Sequence, residues 1–293
     1  MTPLAFGLVM LAGLIHAVWN IAAKKAGGDA RFVFFTGVCL AVVWAPVGWW
    51  AGRDAVPSWG AREWGVVAAS GLLHVLYFVV LLRGYRRADL TVVYPVARGS
   101  GPLLSSTVAV LLLGERLSPV GLAGIAAVAG GVFLIAGGPG LLRAAQDPAR
   151  RARVHAGLGW GLATGGFIAA YTVLDGYAVK VLLLSPILID YMGNFVRIAL
   201  LAPPVLRDRP ALGRLWRAQW KYALLVGTVS PVSYVLVLYA LQTAPLSHVA
   251  PAREVSMLFA ALIGGRLLGE GDRLPRLLGA VCIAAGVVAL GLG

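Results

Sequence analysis

The chain of 293 residues is 59% hydrophobic and only 13% charged, and its mean hydropathy is +0.84. A soluble domain carries about 25% charged residues, so this composition excludes a soluble globular protein and predicts a polytopic membrane protein. The net charge of +13 does not indicate nucleic-acid binding. The basic residues mostly lie between apolar segments, where they set membrane topology and meet anionic lipid headgroups.

Ten apolar segments follow one another along the chain, each near the roughly 20 residues that cross a bilayer. We predict them at 3–23, 32–51, 64–83, 90–113, 119–137, 157–176, 186–206, 222–242, 246–268 and 275–292. The first is interpreted as a helix and not as a cleaved signal peptide, because no basic stretch precedes it. The sequence therefore predicts an all-α integral membrane protein with ten transmembrane helices.

The fourth and ninth segments carry the same pattern. Arg98 follows Pro95-Val96-Ala97, and Arg253 follows Pro251-Ala252. Glu115 and Glu270, each preceded by glycine, come 17 residues after the respective arginine. The two patterns are 155 positions apart, which indicates an internal duplication.

The duplication divides the chain into halves with five segments each. Asn20 near the end of the first segment corresponds to Asp175 near the end of the sixth. Because five is odd, the second half must enter the membrane in the opposite direction. We therefore predict two inverted five-helix repeats, 1–137 and 157–293, joined by a cytoplasmic linker at 138–156, as in many secondary transporters.

The loop charges predict the orientation. Of the 25 lysines and arginines, 22 lie outside the segments or at their ends, and 18 of these fall in connections 1–2, 3–4, 5–6, 7–8 and 9–10. The other connections hold only Arg53, Arg62, Arg116 and Lys180. The positive-inside rule then places the side with 18 charges in the cytoplasm and both termini outside.

Four motifs carry a resemblance to a known family: His16-Ala17-Val18-Trp19-Asn20, Tyr94-Pro95-Val96-Ala97-Arg98-Gly99, Tyr171-Thr172-Val173-Leu174-Asp175-Gly176 and Pro251-Ala252-Arg253-Glu254. With the ten segments, they resemble EamA-type transporters of the drug/metabolite transporter superfamily, over essentially the whole chain. They look most like a bacterial subgroup of which some members are associated with phosphonate use. The resemblance implies a ten-helix carrier of small metabolites, working by alternating access in the bacterial inner (plasma) membrane. It supplies no substrate, and better-known relatives are described with both termini in the cytoplasm.

Arginines inside apolar segments are the first candidates for substrate binding, because a cation in hydrocarbon is costly and usually functional. Arg98 either holds an anionic substrate group in a planar fork or pairs with Asp175, Asp190 or Glu254. Arg253 has the same two interpretations. Neighbouring helical residues point about 100° apart, so we expect Glu254 to serve another partner, with Arg98 across the repeat interface as the candidate. Glu254 is also a candidate for proton coupling, with a permanent salt bridge as the alternative.

Other polar side chains are predicted to face a cavity between the halves. Arg197 shares a helix face with Asp190 and Asn194, although Asp190 could instead be interfacial. The remaining candidate substrate-binding residues are His16, Asn20, His74, Tyr94, Tyr171, Asp175 and Tyr234. The histidines could instead be structural hydrogen-bonding groups and the tyrosines packing residues. Trp19 is expected to pack elsewhere, and Glu115 and Glu270 are expected to fix the loops that follow them.

Prolines predict irregular backbone in the two arginine segments. Pro95 and Pro102 bracket Arg98-Gly99-Ser100-Gly101, which favours a bent or locally unwound fourth helix. Pro245 and Pro251 place similar stress on the start of the ninth helix. The alternative is that the prolines lie harmlessly in first turns.

The sequence lacks the common enzyme signatures and any nucleotide-binding loop, and it indicates no cofactor and no metal site. We predict a secondary transporter for a small polar metabolite, anionic or zwitterionic because of the buried arginines, bound between helices 1, 3, 4, 6, 8 and 9. The alternative is a flippase for a lipid or lipid-linked substrate, which would show a lateral cleft. The expected partners are the small-molecule substrate and membrane lipids, with proton coupling as an option, and the chain is a monomer or homodimer.

Overall fold

In a computed structural model of the chain, residues 1–27, 29–88, 90–135, 138, 148–268 and 273–293 are described, and every element in them is helical. The helices are α1 (Pro3–Ala26), α2 (Ala30–Val43), α3 (Ala45–Gly52), α4 (Ala61–Arg87), α5 (Leu90–Leu112), α6 (Pro119–Ile135), α7 (Pro148–Lys180), α8 (Pro186–Val205), α9 (Arg209–Thr243), α10 (Leu246–Ala252), α11 (Val255–Leu268) and α12 (Arg273–Leu292). A short 3-10 turn, Val56–Ser58, lies between α3 and α4.

Each predicted apolar segment overlaps one helix or a pair of helices. The second segment corresponds to α2 and α3, and the ninth to α10 and α11. In the described part of the chain, five helices are long and apolar enough to cross a membrane: α1, α4, α7, α9 and the continuation of α10 into α11 as far as Ile263. The α2–α3 pair, bent by 60°, is a sixth. The chain is therefore a multi-pass membrane protein, although length and apolarity alone do not give ten crossings.

Local capping fixes both ends of α1 and the start of α2. The hydroxyl of Thr2 accepts a hydrogen bond from the backbone N–H of Ala5 at 3.2 Å, and so caps the start of α1. Gly27 ends α1 with φ +65, a left-handed conformation that favours glycine. The carboxylate of Asp29 then accepts from the N–H groups of Arg31 and Phe32 at 2.9 and 3.2 Å. These caps let two long helices follow each other with only a short connection.

The two halves of the chain pack through equivalent helices. α1 packs on α9 as α7 packs on α4, and α5 packs on α7 as α11 packs on α1. α6 of the first half packs along α12 of the second half. Exchanging α1 with α7, α4 with α9, α5 with α11 and α6 with α12 reproduces this set of contacts. The packing therefore follows the duplication in the sequence.

Glycines set the approach of α6 to α12. A Cβ atom on Gly131 would lie 2.6 Å from the carbonyl oxygen of Gly279, and one on Gly279 would lie 2.7 Å from the carbonyl oxygen of Gly131. Gly124 and Gly286, about two helical turns away, make the same reciprocal contact: a Cβ atom on Gly124 would lie 2.9 Å from the carbonyl oxygen of Gly286, and one on Gly286 would lie 2.7 Å from that of Gly124. Small residues allow this backbone-to-backbone packing inside a membrane. The contact joins the two halves at one side of the bundle.

The predicted unwinding of the fourth helix is wrong. α5 runs without a break through Pro95 and Pro102. Each proline removes only one backbone donor, and close packing on α7 keeps the helix regular. A Cβ atom on Gly101 would lie 2.7 Å from the side chain of Ile168.

The break occurs in the ninth segment, between α10 and α11, at Arg253 and Glu254. There the N–H groups of Glu254 and Met257 bond to carbonyl groups three residues earlier, Pro251 at 3.0 Å and Glu254 at 2.8 Å. This is the tighter hydrogen-bonding pattern of a 3-10 turn. The irregular backbone thus coincides with the second arginine and not with the first.

Candidate functional site

A cavity of about 230 Å³ lies between the two halves of the chain. At about 30 Å³ for each water molecule, it has the volume of on the order of eight waters. Its lining residues come from both repeats: Ala12, His16, Trp19, Asn20, Leu40, His74, Tyr77, Tyr94, Arg98, Tyr171, Asp190, Arg197, Ser230, Pro231, Ser233, Tyr234, Val237 and Arg253. A small metabolite fits this volume.

Arg98 is neutralised by an acidic side chain from the other half. Its Nη2 lies 2.9 Å from Oε2 of Glu254, whose side chain is only 2% exposed. The same guanidinium nitrogen donates to the hydroxyl of Ser256 at 3.1 Å. The structure thus shows the expected pairing of Glu254 with Arg98 across the repeat interface. Glu254 lies behind Arg98 and does not line the cavity itself.

Arg197 is neutralised within its own helix. Its Nη2 lies 2.9 Å from Oδ1 of Asp190 and also donates to the backbone carbonyl of Asp190 at 3.1 Å. Asp190 and Asn194 are both buried, so the polar face of α8 points into the bundle, and Asp190 is not interfacial. Asn194 donates to the carbonyl group of Gly37 on α2 at 2.9 Å. This face fixes α8 against its neighbours.

Of the three arginines inside the membrane segments, Arg253 has no ion-pair partner among the described residues, although Glu254 attracts it at longer range. It is 8% exposed and lines the cavity. Across the described residues, its guanidinium has no carboxylate within 4.0 Å and no hydrogen-bond acceptor, and its Nε is buried without a partner. The adjacent Glu254 points to Arg98 because the turn between α10 and α11 separates the two side chains. A buried guanidinium without an acceptor is costly unless a ligand supplies one.

Asp175 lies just behind the cavity wall. Its side chain is fully buried, and its Oδ2 accepts a hydrogen bond from the hydroxyl of Tyr234, which lines the cavity. Its other oxygen, Oδ1, has no hydrogen-bond partner among the described residues. Asp175 therefore contacts the cavity only through Tyr234.

Aromatic rings form one wall of the cavity. His74 stacks on Tyr171 with ring centroids 4.1 Å apart, and Tyr234 lies edge-on to His74 at 5.5 Å. Tyr77 contacts Tyr171 at 5.8 Å. The Nδ1 of His74 lies 2.9 Å from the carbonyl oxygen of Ser70 on its own helix, which fixes the ring. This wall offers π faces and hydroxyl groups to the cavity that the arginines also line.

One end of the bundle is closed by contacts between the halves. The carboxylate of Glu115, in the loop after α5, accepts from the N–H groups of Leu246 and Ser247 at 2.8 and 2.9 Å, and so caps α10. Partial burial alone would raise the pKa of Glu115, but these hydrogen bonds and nearby Lys180 outweigh it and hold the pKa below its usual value. Lys180 also donates to the carbonyl group of Ala244 at 3.1 Å.

At the opposite end of the cavity the side chains are more exposed. There Tyr94 is 37% exposed, and Trp19 and Asn20 are only half-buried. At the Glu115 end, by contrast, Leu241 and Leu246 are buried in the main apolar core. The side chains are therefore more buried toward the Glu115 end of the bundle than toward the Tyr94 end.

Both halves of the sequence match one family, the EamA-like transporter family, over residues 4–137 and again over residues 155–292. The chain belongs to the EamA-like transporter family. The double match confirms the resemblance and the two repeats, and it makes this chain a membrane transporter with a small-molecule substrate. A crystal structure described only as that of a protein has a TM-score of 0.75 with 18% sequence identity, over 98% of this chain and 97% of its own. That likeness shows the fold alone, and no curated protein matches the sequence.

In this EamA-like transporter, most of the predicted site residues come together at the cavity. The predicted residues that line it are His16, Asn20, His74, Tyr94, Arg98, Tyr171, Arg197, Tyr234 and Arg253. Glu254 and Asp175 lie behind the wall, each bonded to a lining residue. The cavity also uses α2, the second predicted segment, which the sequence prediction did not include, and α8, the seventh, from which Arg197 was predicted. No group of three or more possible metal-ligating side chains occurs among the described residues.

Sequence reasoning missed several lining residues of the transporter. Trp19, expected to pack elsewhere, lines the cavity, contacts His16 with ring centroids 4.6 Å apart, and donates to the hydroxyl of Ser233 at 3.1 Å. Ser230 on α9 also reaches the wall. No pattern of polarity distinguishes these residues along the chain. Glu115 fixes α10 and not the loop after it, and Glu270 lies outside the described residues.

Proposed function

We propose that this protein is a secondary transporter that moves a small anionic or zwitterionic metabolite through the cavity between its repeats. The main support for this proposal is Arg253. This buried arginine lines the cavity, and no carboxylate or hydrogen-bond acceptor of the described chain contacts its guanidinium. A substrate carboxylate, phosphate or phosphonate would supply the missing acceptors in a planar, bidentate contact. The aromatic wall of His74, Tyr171 and Tyr234 would contact the remainder of the substrate.

The charge pattern of the cavity supports an anion over a cation. Arg98 and Arg197 are already paired with Glu254 and Asp190 at 2.9 Å, so these four groups contribute little net charge. Arg253 then leaves a positive site. A cationic substrate would need an acidic side chain free to bind it. The acids nearest to the cavity are already bonded: Glu254 to Arg98, Asp190 to Arg197 and Asp175 to Tyr234. Electrostatics in this enclosed site therefore selects a negative group.

The proposed transport mechanism is alternating access by two inverted five-helix repeats with ten crossings, in the bacterial inner membrane. The packing by equivalent helices supports it, as does the contrast between the closed Glu115 end and the accessible Tyr94 end. The loop charges favour termini outside, which makes the accessible end cytoplasmic in this conformation. A C-terminal reporter that fluoresces only in the cytoplasm should stay dark. Bright cells would reverse the proposed orientation.

The function is tested first by binding. Detergent-purified protein would be melted with phosphonates, organophosphates, amino acids and nucleotides, and compounds that raise the melting temperature would be assayed for exchange across reconstituted vesicles. We expect at least one small anion or zwitterion to stabilise the wild type and not Arg253→Gln. Stabilisation by cations only, or equal stabilisation of the variant, would contradict the proposal.

The flippase alternative predicts a different outcome of the same assay. A smaller cavity of about 80 Å³ between α2, α8 and α9 shares Leu40, Arg197 and Ser230 with the main cavity. A lipid tail would have to leave the main cavity along a lateral path of this kind. Stabilisation by lipid-linked anions, with none by their water-soluble head groups, would replace the metabolite proposal by the flippase.

A further inference from the structure

Three acidic residues lie within the predicted membrane segments, and one differs from the other two. Glu254 and Asp190 each have an arginine nitrogen at 2.9 Å. Asp175 is fully buried, and no lysine, arginine or histidine nitrogen of the described chain lies within 4.0 Å of its carboxyl group. Its polar contact is the hydroxyl of Tyr234. Asp175 is thus a buried acid with a hydrogen-bond donor but no counter-ion.

We propose that Asp175 is a proton-binding site of the transporter, and that it binds its proton together with the anion at Arg253. The first part stands on the geometry of Asp175 alone, and the second part rests on the proposed anion site. Proton binding converts the carboxylate to a carboxylic acid, with the proton taken from water in the cavity and no other bond changed.

The surroundings of Asp175 favour the neutral acid in this conformation. An ionised carboxylate buried without a cation loses its hydration and gains no ion pair in return. The hydroxyls of Ser70 on α4 and Tyr234 on α9 and the charge of Arg197 on α8 stabilise the carboxylate, whereas burial and the charge of Asp190 on α8 oppose it, and burial is the largest effect. Arg197 is already engaged by Asp190 at 2.9 Å and is a weak counter-ion for a second carboxylate.

The sequence duplication supplies a natural comparison. Asn20 occupies in the first repeat the position that Asp175 occupies in the second. Asparagine has the shape of aspartic acid but cannot change its charge near neutral pH. If this position served packing alone, an amide would suffice in both repeats. The acid in the second repeat adds the ability to bind and release a proton.

The charges fix the direction of the coupling. With Asp175 neutral, Arg253 is an uncompensated cation and attracts an anion. With Asp175 ionised, its negative charge opposes the anion, and Tyr234 lies between the two sites because it bonds to Asp175 and lines the cavity. Anion binding therefore favours proton binding, and proton binding favours anion binding, by the same factor. This linkage gives proton–anion symport and not antiport.

Infrared spectroscopy tests the proton site without any substrate. Purified full-length protein in lipid nanodiscs should show the carbonyl stretch of one protonated carboxylic acid at neutral pH. Asp175→Asn should remove this band, and Asp175→Glu should shift it. Asp54→Asn, which removes an exposed carboxylate outside the membrane segments, is the control and should leave the band unchanged. Absence of an Asp175-dependent band from mildly acidic to mildly alkaline pH would overturn the proton site.

The coupling is tested by measuring the pH dependence of the same infrared band in Arg253→Gln. Removing the cation mimics its neutralisation by an anion, so the Asp175 band should persist to more alkaline pH than in the wild type. Arg116→Gln, which removes a cation from a loop, is the control and should not move it. An unchanged titration in Arg253→Gln would refute the linkage while leaving the proton site in place. If the band moves but no anion binds in the melting screen, the proposed substrate fails and the proton site stands.

Discussion

Arg253→Gln is the substitution that most directly separates a substrate contact from a structural one. In the wild type, the guanidinium has no partner among the described residues, so its replacement by a neutral amide orphans no acid. We expect the melting temperature without ligand to change little. A charge-assisted hydrogen bond contributes about 1.5–3 kcal/mol, so anion affinity should fall by about 10-fold to 150-fold.

Arg98→Gln is the matched control, because it removes the same group from the equivalent position of the other repeat. Here the loss leaves Glu254, whose side chain is 2% exposed, without its partner at 2.9 Å. Breaking a buried pair in this way costs about 3–5 kcal/mol. Arg98→Gln should therefore lower the melting temperature strongly. The double variant Arg98→Gln/Glu254→Gln, which removes both charges, should recover much of the loss.

The assay is a melting curve in detergent, with and without the anion found in the screen, together with exchange in reconstituted vesicles. Arg253→Gln should lose stabilisation by the anion and lose exchange while it remains folded. Arg253→Lys should recover part of the affinity, because the charge remains but the planar fork is lost. If Arg253→Gln unfolds as readily as Arg98→Gln, then Arg253 is a structural residue and the reasoning from its missing partner is refuted.

Three further predictions concern packing, pH and repeat symmetry. Gly131→Val should lower the melting temperature by forcing a side chain against the backbone of α12 at 2.6 Å, whereas Gly130→Val, with nothing within 4 Å, should not; equal effects would contradict the packing. Glu115→Gln should destabilise at neutral pH but less in acid. The lowered pKa of Glu115 means that its contribution is present above its ordinary pKa and is lost as the pH falls through the folded-state value, so a pH-independent difference would contradict the cap. Gly99→Glu places an acid at the first-repeat position equivalent to that of Glu254 and should abolish anion stabilisation by pairing with Arg253, while Gly99→Gln should retain it.

The sequence predicted the helices well because hydrophobic length depends on local composition. All ten segments overlap helices, and the duplication located the two arginines at equivalent positions. The pairing of Glu254 with Arg98 was also predicted, from the angle between neighbours in a regular helix, although in the structure it is the turn at Arg253 and Glu254 that separates the two side chains. The continuity of α5 through its two prolines could not be predicted from local composition. Whether a proline breaks a helix depends on the packing around it, and α5, whose Gly101 packs against Ile168, continues through both prolines.

The partners of the arginines could not be predicted from local sequence either. Arg98 and Arg253 lie in almost the same motif, yet one is paired and the other is not. The difference depends on which acid each guanidinium reaches across the bundle. The rotation of each helix about its axis also decides that Trp19 faces the cavity and that Asp175 lies behind Tyr234. These rotations are set by contacts between distant residues.

The asymmetry between the repeats determines the charge of the cavity. The duplicated arginines alone would give two positive charges at the interface. Glu254, which stands opposite Gly99 in the other repeat, cancels one of them through its ion pair with Arg98. Asp175, which stands opposite Asn20, can add or remove a second negative charge as it loses or binds a proton. The shared fold of the two repeats supports the proposed alternation of access. All three acids in the membrane segments lie in the second repeat opposite a neutral residue of the first, and one of them, Asp190, is paired with Arg197. Glu254 and Asp175 therefore set the net charge that a substrate meets, and this is the physical reason to expect selection by charge in a nearly symmetric structure.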